Sequence, residues 1–408
     1  MGNNHDASFP EYWSRRMQRY LTKTQVFRAI CSFEESATLK KGDKVNRPYT
    51  SDIIVRNHTS NGTVTIDDNT DTNESLTVDQ RKVSGFYIED FDALQSDYDT
   101  AGIYAEKNAI KVGEVVDGAI LAEVVNGSSS VSDGDFGGTS GQGVTLTVAN
   151  VDRVLSKAKK KLDRLSVPQT ERVAVLSPDF LEILSDAIGD RDSRLGDEVG
   201  ENGKVGMRKG FMLHMSNSLL WTGELAMATN PTDGDTLVIN GVTITFRTTQ
   251  GALAGSVNIC STADATRANL VAFLNAPTTT VAEAADAGYN GFTAGGTEEK
   301  ALLHMTWTNN DSTNVASVSA EGRGFISVSE TLTAAADTWT AAKQIQHNIA
   351  CRKGAIEAVV QSKPKSQFKD VSTKLGKNVL TPVLYGKKVF TEGARELCDM
   401  KVRTDAWA

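Results

Sequence analysis

Apolar and polar positions follow one rule most strictly between residues 101 and 120. There Ala101, Ala105, Ala109, Val112, Val116, Ala119 and Ile120 recur at the spacing of a single helical face. Ser96 stands where an N-cap belongs, Asp97 and Asp99 place carboxylates in the first turn, where the helix dipole favours them, and Asn126-Gly127 supplies a stop. The pattern predicts one helix of roughly 29 residues, about 43 Å long at 1.5 Å per residue. Gly102, Gly113 and Gly118 lie inside it, and each weakens an isolated helix by about 1 kcal/mol relative to alanine. Neighbouring backbone must therefore pack closely against this helix. An acidic-aromatic segment, Gly85-Phe86-Tyr87-Ile88-Glu89-Asp90-Phe91, leads into it.

Upstream, Tyr12, Trp13, Met17, Tyr20 and Leu21, then Phe27, Ile30 and Phe33, form an amphipathic arm ending at Gly42-Asp43. Its apolar positions are too few for a domain, so it must lie on something else. Residues 46–82 are unusually polar, with alternation at Val64-Thr65-Ile66 and Leu76-Thr77-Val78 on either side of a tip at residues 67–73. This predicts a long two-stranded projection. Isolated hairpins are marginal in water, so a neighbouring subunit is expected to support it. Downstream, Val151, Val154, Leu155, Ala158, Leu162 and Leu165 share one face of a helix that Asn150 would cap, with Lys157, Lys159, Lys160 and Lys161 largely opposite. Residues 172–176 read as a buried strand, Ser177-Pro178 as the opening of a helix running through Ile188, and residues 210–216 as another strand.

After Trp221 the composition breaks. Residues 223–340 hold 12 acidic and 4 basic side chains while the rest of the chain balances at 39 of each, so this segment carries the whole net charge of -8. It is rich in Thr, Ala, Gly and Asn, with Lys300 as its one lysine, and reads as an inserted domain. Residues 236–239, the turn pair Asn240-Gly241 and residues 242–246 form the strongest hairpin signal in the chain. A helix over 262–275 and strands near 304–308, 315–319 and 324–328 would complete a small α+β module. From about Ala342 the interrupted fold resumes, with strands expected at 348–351, 355–360, 379–385, 387–391 and 399–402.

At 408 residues, 39% hydrophobic and 23% charged, the chain has the length of two or three domains and the balance of a soluble globular protein. No run of about 18 apolar residues predicts a membrane span, and the polar start does not read as a secretory signal. Cys31, Cys260, Cys351 and Cys398 lack paired spacing and are expected to be free thiols. No nucleotide-binding, zinc-protease or nucleophile-elbow motif occurs. Gly137-Gly138-Thr139-Ser140-Gly141-Gln142-Gly143 lacks the lysine and the strand-to-helix context of a phosphate cradle and reads as a flexible loop. Asp67, Asn69, Asp71 and Asn73 alternate like the start of a calcium loop. Thr72 stands where the turn glycine belongs and Val78 where the bidentate glutamate belongs, so a polar tip is expected. His347 and Cys351 lack further ligands nearby in sequence, and no cofactor or metal is expected. The lysines at 157 and 159–161 read as a solvated helix face. The stretch after residue 341 holds 13 basic and 6 acidic side chains, which suits either weak contact with nucleic acid or salt-bridged subunit contacts.

This order of elements resembles the major capsid proteins of tailed bacteriophages, with the α+β Hong Kong 97-like fold. Gly42-Asp43-Lys44-Val45 resembles the family's entry to its extended loop, and Ile88-Glu89-Asp90-Phe91-Asp92-Ala93-Leu94-Gln95-Ser96 its entry to the spine helix. Met212-Leu213-His214-Met215-Ser216-Asn217-Ser218-Leu219 resembles its apical strand, and Asn348-Ile349-Ala350-Cys351-Arg352-Lys353-Gly354-Ala355-Ile356 the strand that follows. The resemblance implies an N-terminal arm at 1–45, an extended loop at 46–82, and a peripheral domain at 83–145 and 361–408. It further implies an apical domain at 146–222 and 341–360, leaving 223–340 as an insertion similar to a module of phage structural proteins, expected outside the shell.

By the same resemblance, the function is non-enzymatic: self-assembly into hexamers and pentamers of an icosahedral head around double-stranded DNA, formed in the host bacterial cytoplasm and kept in the virion. Trp13, Tyr20 and Phe27 of the arm, and Lys44, Arg47, Tyr49, Arg56, Asp67, Asp71 and Arg81 of the loop, are the expected inter-subunit contacts. The partners implied are further copies of the chain, a separate scaffolding protein, a portal, a decoration protein, and packaged DNA held by weak non-specific contact, with the insertion either binding the decoration protein or only covering the shell; no membrane is involved. Lys40, Lys41, Lys44 and Lys82 flank the loop, but nothing marks an acceptor asparagine or catalytic acid for a covalent cross-link. An encapsulin-like compartment and a phage tail or surface-binding protein are the competing readings. A carbohydrate site on the insertion would need Trp307 and Trp339 exposed, whereas core packing of both is expected.

Overall fold

The structure is a computed structural model that describes residues 23, 25–33, 42–50, 53–64, 66, 71–95, 100–189, 206–249, 253–278, 288–340, 343–362, 365–371 and 373–403. The long helix spans Thr100–Leu121, and a 3-10 turn over Ala122–Asn126 continues it. Ser96, Asp97 and Asp99, the expected N-terminal signals, lie outside the described residues. The α-helix ends earlier than the sequence pattern predicts, because Ala122 and Val124 are drawn into the core and the last turn tightens. Gly127 is extended, with φ -66, so it does not stop the helix by a left-handed turn. It lacks a side chain because a Cβ there would stand 2.8 Å from the Leu397 carbonyl oxygen.

Among the described residues the strands form four sheets. The first runs in the order β1 (Cys31–Ser32), β19 (Ile356–Ser362), β21 (Gly376–Lys388), β20 (Gln367–Asp370), and β4 (Gln80–Glu89) also pairs with β21. The β4–β21 ladder holds ten residue pairs, from Gln80↔Tyr385 to Glu89↔Gly376. β21 is one strand through Lys388 where two were expected; residues 391–395 are helical, so no strand spans 387–391. The long helix lies across this sheet, with Phe86 against Tyr104 at 5.4 Å between ring centroids and the Ser84 hydroxyl donating to Asn108 Oδ1 at 2.8 Å.

The second sheet has ten strands. Its main path is β14 (Met305–Asn310), β15 (Val315–Ala320), β9 (Trp221–Ala226), β18 (Ile345–Arg352), β6 (Arg172–Leu176), β8 (Phe211–Met215), β7 (Met207–Arg208). β17 (Thr338–Trp339) pairs with β9, and β22 (Leu397–Arg403) joins β18 to β5 (Ser129–Val131). Helices Val151–Arg164 and Pro178–Gly189 bury Val151, Val154, Leu155, Ala158, Leu162, Phe180 and Leu184 in one core with this sheet. Asn150 does not cap the first of these helices. Its amide instead ties the preceding turn, accepting from Thr147 N and donating to the Thr145 carbonyl, both at 2.8 Å. Ser177 does cap the second, its Oγ accepting from Phe180 N at 3.2 Å.

The segment after Trp221 builds a third sheet, β13 (Tyr289–Asn290), β12 (Ser256–Asn258), β11 (Val242–Arg247), β10 (Thr236–Ile239), β16 (Val328–Glu330), with helix Ala263–Asn275 capped by Thr262. Asn240 and Gly241 take positive φ, 50° and 80°, as a two-residue hairpin turn between β10 and β11 requires. Of the strand expected near 324–328, only Val328 belongs to one; β16 starts there because it has to pair with Ile239. This segment has its own core around Trp221, Phe246, Phe273 and Trp307. It is nevertheless continuous with the ten-stranded sheet, since β9 pairs with both β15 and β18.

The last sheet is the two-stranded ladder β2 (Lys44–Thr50) with β3 (Asp71–Thr77). It differs from the expected hairpin. Val64 and Ile66 are not in a strand, and Asp71, Thr72 and Asn73, expected at the tip, are paired residues of β3. The polar segment 44–50, Pro48 included, works as a strand because it lies on one edge and exposes alternate residues.

Candidate assembly surfaces

The projecting loop is rooted in its own chain. Leu76 and Val78 pack with Val359 and Phe390 in a small core of their own. Arg47 pairs with Glu357 at 2.8 Å, and its guanidinium lies 4.6 Å over the Phe390 ring. Glu74 accepts from the Thr391 amide at 3.1 Å and also from the Thr391 hydroxyl, and the hydroxyl bond holds its carboxyl below the usual range. Arg47 and Glu74 therefore fix the angle at which the loop leaves the body. Lys44, Arg56, Asp71 and Arg81 are exposed, and Tyr49 is half-buried, its carbonyl accepting from the Thr72 hydroxyl at 3.4 Å. Asp67 lies outside the described residues.

Beyond this rooted base the loop changes character. Ile53, Ile54, Val55, Val64 and Ile66 stand exposed, Val55 at 95% and Ile66 at 87% of their free surface. Isolated exposed apolar residues are ordinary; three consecutive β-branched ones in a polar projection form a contiguous apolar patch. Covering each would contribute roughly 1.5–3 kcal/mol. The expected contacts are the polar residues of the loop, whereas this apolar run is its most conspicuous surface. Its signal was already present in the Ile53-Ile54-Val55 triplet, which breaks the polar pattern without alternation.

The arm is clamped by the long helix. Asp117 Oδ1 accepts from the Val26 and Phe27 amides at 2.9 and 2.8 Å, and Glu114 Oε1 from the Lys23 amide at 2.8 Å. Lys23 Nζ reaches the carbonyls of Gly322 at 2.6 Å and Asn217 at 3.3 Å, so the arm joins the long helix to the ten-stranded sheet. Burial pushes the Asp117 carboxyl up to about 6, against the lowering effect of the Phe27 and Val26 amides. Phe27 is buried within its own chain and meets Phe33 edge-on at 5.8 Å, so its contact is internal. Trp13 and Tyr20 lie outside the described residues.

Other features of the sequence are absorbed by structure. Lys161 pairs with Asp135 at 2.6 Å and Lys157 donates to the Asp135 carbonyl at 3.1 Å, so two of the four lysines brace the glycine-rich segment. That segment starts as a 3-10 turn over Asp133–Phe136 closed by a capping box. His347 is buried, its Nδ1 2.8 Å from Asp399 Oδ2 and its Nε2 3.0 Å from Thr222 Oγ1, and it ties three strands together. Trp307 is buried and half-buried Trp339 has one face stacked on Trp221 at 5.9 Å and 3°, so the two do not form a pair of exposed aromatic faces. Burial pushes the thiols of Cys351 and Cys398 up to about 12 and 11, and Cys31 well up also. A cavity of about 1050 Å³ between arm and long helix is lined by Phe27, Phe33, Val116, Val360 and Val383, together with that Cys31 thiol. Among the described residues no group of three or more His, Cys, Asp or Glu side chains is placed to hold a metal, and no helix is long and apolar enough to cross a membrane.

No family model matches this sequence, and no curated protein matches it. Solved structures match its fold. A chain from Mycobacterium phage Che8 superposes with TM-score 0.58 at 15% identity, over 98% of this chain and 98% of that one. The capsid structure of cyanophage P-SCSP1u gives 0.54 at 12% identity over 98% and 94%. The mature capsid of bacteriophage PhiM1 gives 0.50 at 11% identity over 97% and 91%. The chain therefore has the fold of phage capsid chains, the Hong Kong 97-like α+β fold expected from its order of elements.

Proposed function

We propose that this chain is the major structural subunit of a phage head, assembling with copies of itself into hexamers and pentamers of an icosahedral shell around double-stranded DNA. The observation that carries this reading is the exposed apolar run at Ile53, Ile54 and Val55, held by an anchored base on a chain that superposes on a capsid structure over 98% of its length. A rooted loop with an uncovered apolar end is built to be completed by another molecule, and repetition by symmetry turns a few kcal/mol per loop into a stable container. In this reading the arm and loop grip neighbours, and the sheet that carries β4 and β21 forms the periphery. The ten-stranded sheet surrounds the capsomer axis, and residues 223–340 stand outside the shell, where their acidity keeps particles apart. A scaffolding protein, a portal and a decoration protein are its partners, packaged DNA meets it by weak non-specific contact, and its role is structural.

Electron microscopy of the purified protein, expressed alone and with its neighbouring genes, tests this directly, with light scattering for mass. Shells, tubes or five- and six-fold rings are expected. A uniform monomer under both conditions would move the assignment to a tail or surface-binding role.

A further inference from the structure

Charge is segregated along the ten-stranded sheet. At one end, β14 and β15 are themselves uncharged, but helix Thr297–Leu302, which ends two residues before β14, carries Glu298 and Glu299 in its first turn. At the other end, the turn between β7 and β8 faces the outer side of helix Val151–Arg164 across a groove of about 500 Å³. Ser156, Lys159, Lys160, Asp163, Arg164 and Lys209 line it. Lys209 takes a left-handed φ of 52° in that turn, and its ammonium lies 3.3 Å from Asp152 Oδ2.

The carboxylates near the groove are already matched. Arg208 holds both oxygens of Asp152 at 2.9 Å, and buried Arg172 holds Asp163 at 2.7 Å. Lys159, Lys160 and Arg164 make no ion pair among the described residues. Like charges four apart on a helix, as at Lys160 and Arg164, repel one another. In a chain of net charge -8, the groove carries more cationic side chains than Asp163, its one lining carboxylate, can balance.

We propose that the groove receives the acidic insertion of a second copy, head to tail, with Glu298 and Glu299 in the first turn of helix Thr297–Leu302 as the leading carboxylates. This contact rests on the shell reading above. The two charged surfaces sit at opposite ends of one sheet, so copies arranged around an axis bring unlike ends together, and a heterologous contact of this kind closes into a ring. The groove lining holds no aromatic side chain on which a base would stack, which favours an acidic protein surface over single-stranded nucleic acid.

The test uses the full-length protein under conditions in which the wild type forms particles. Lys159→Glu with Lys160→Glu, its fold checked by circular dichroism, is expected to lower the yield of sedimenting particles by about tenfold or more. Glu298→Lys with Glu299→Lys should do the same, and the four changes together should restore assembly. If the glutamate pair does not fold, Lys159→Gln with Lys160→Gln is expected to give particles that dissociate at lower salt than the wild type. Undiminished assembly of the groove variants, at unchanged salt resistance, overturns the contact while leaving the shell reading intact. Normal assembly with loss of packaged nucleic acid overturns it in favour of a phosphate-binding groove. A wild type that forms no particles removes the shell reading and this contact with it.

Discussion

Asp117 shows how much one residue does here. Its carboxylate sits at 1% exposure on the long helix, with both amide bonds on Oδ1 and no partner for Oδ2. Because burial raises its pKa from 3.8 to about 6, against the lowering effect of the Phe27 and Val26 amides, the folded chain binds a proton there more tightly than the unfolded chain. The sign follows: the contribution of Asp117 to folding stability is greatest below about pH 4, falls as pH rises to about 6 and is level above that, a loss of up to about 3 kcal/mol. Asp117→Asn keeps an oxygen for the Val26 and Phe27 amides and removes the ionisation, so it should flatten this pH dependence. Asp117→Ala leaves two buried amides without acceptors, at about 1–3 kcal/mol each. Hydrogen exchange at Val26 and Phe27 between pH 4.5 and 7.5 measures both effects. Equal pH slopes in the wild type and the asparagine variant would remove the clamp from the account.

At the scale of elements, the long helix was legible because its period is strict, and Gly118 because an interior glycine demands a close neighbour. A Cβ there would stand 2.4 Å from the Gly322 Cα. Helix propensity alone favours Gly118→Ala by about 1 kcal/mol, yet overpacking against backbone costs typically 1–3 kcal/mol. The variant should therefore be less stable in urea titration; a gain would show that residues 321–322 move aside. The loop was legible only as a projection. Its strand at 44–50 has no apolar alternation, because pairing with β3 and the Arg47 contacts hold it rather than burial of a face. Its apolar run was masked by the polar average of the segment. The base and the exposed run should now separate experimentally. Leu76→Ala, at a fully buried site, should cost about 2–5 kcal/mol of stability. Ile54→Asp should change monomer stability by less than about 0.5 kcal/mol while abolishing particles. Particles of normal yield from Ile54→Asp would detach the loop from assembly.

The whole molecule departs from the sequence reading in how the insertion is joined. Its composition marks it as separate, and its core around Phe246 and Phe273 is its own. Composition reports solvent-facing chemistry, however, and cannot show which strands share hydrogen bonds. β9 begins at Trp221, two residues before the composition break, and runs through it; Trp221 is buried in the insertion core while its backbone pairs with Gln346 of β18. Thr222 bonds His347, which holds Asp399 of β22, so a polar network crosses the same junction. A domain attached by a linker would unfold alone, but one that shares a sheet must expose Trp221, break the β9–β18 pairs and orphan His347 to do so. Calorimetry of unassembled subunits should therefore show the ten-stranded sheet and the insertion melting in one transition, with matching exchange protection in β9 and β18. Trp221→Ala should lower both together, by about 3–5 kcal/mol. An insertion that melts first, leaving β18 protected, would mean that the shared strands are a covering and not a joint.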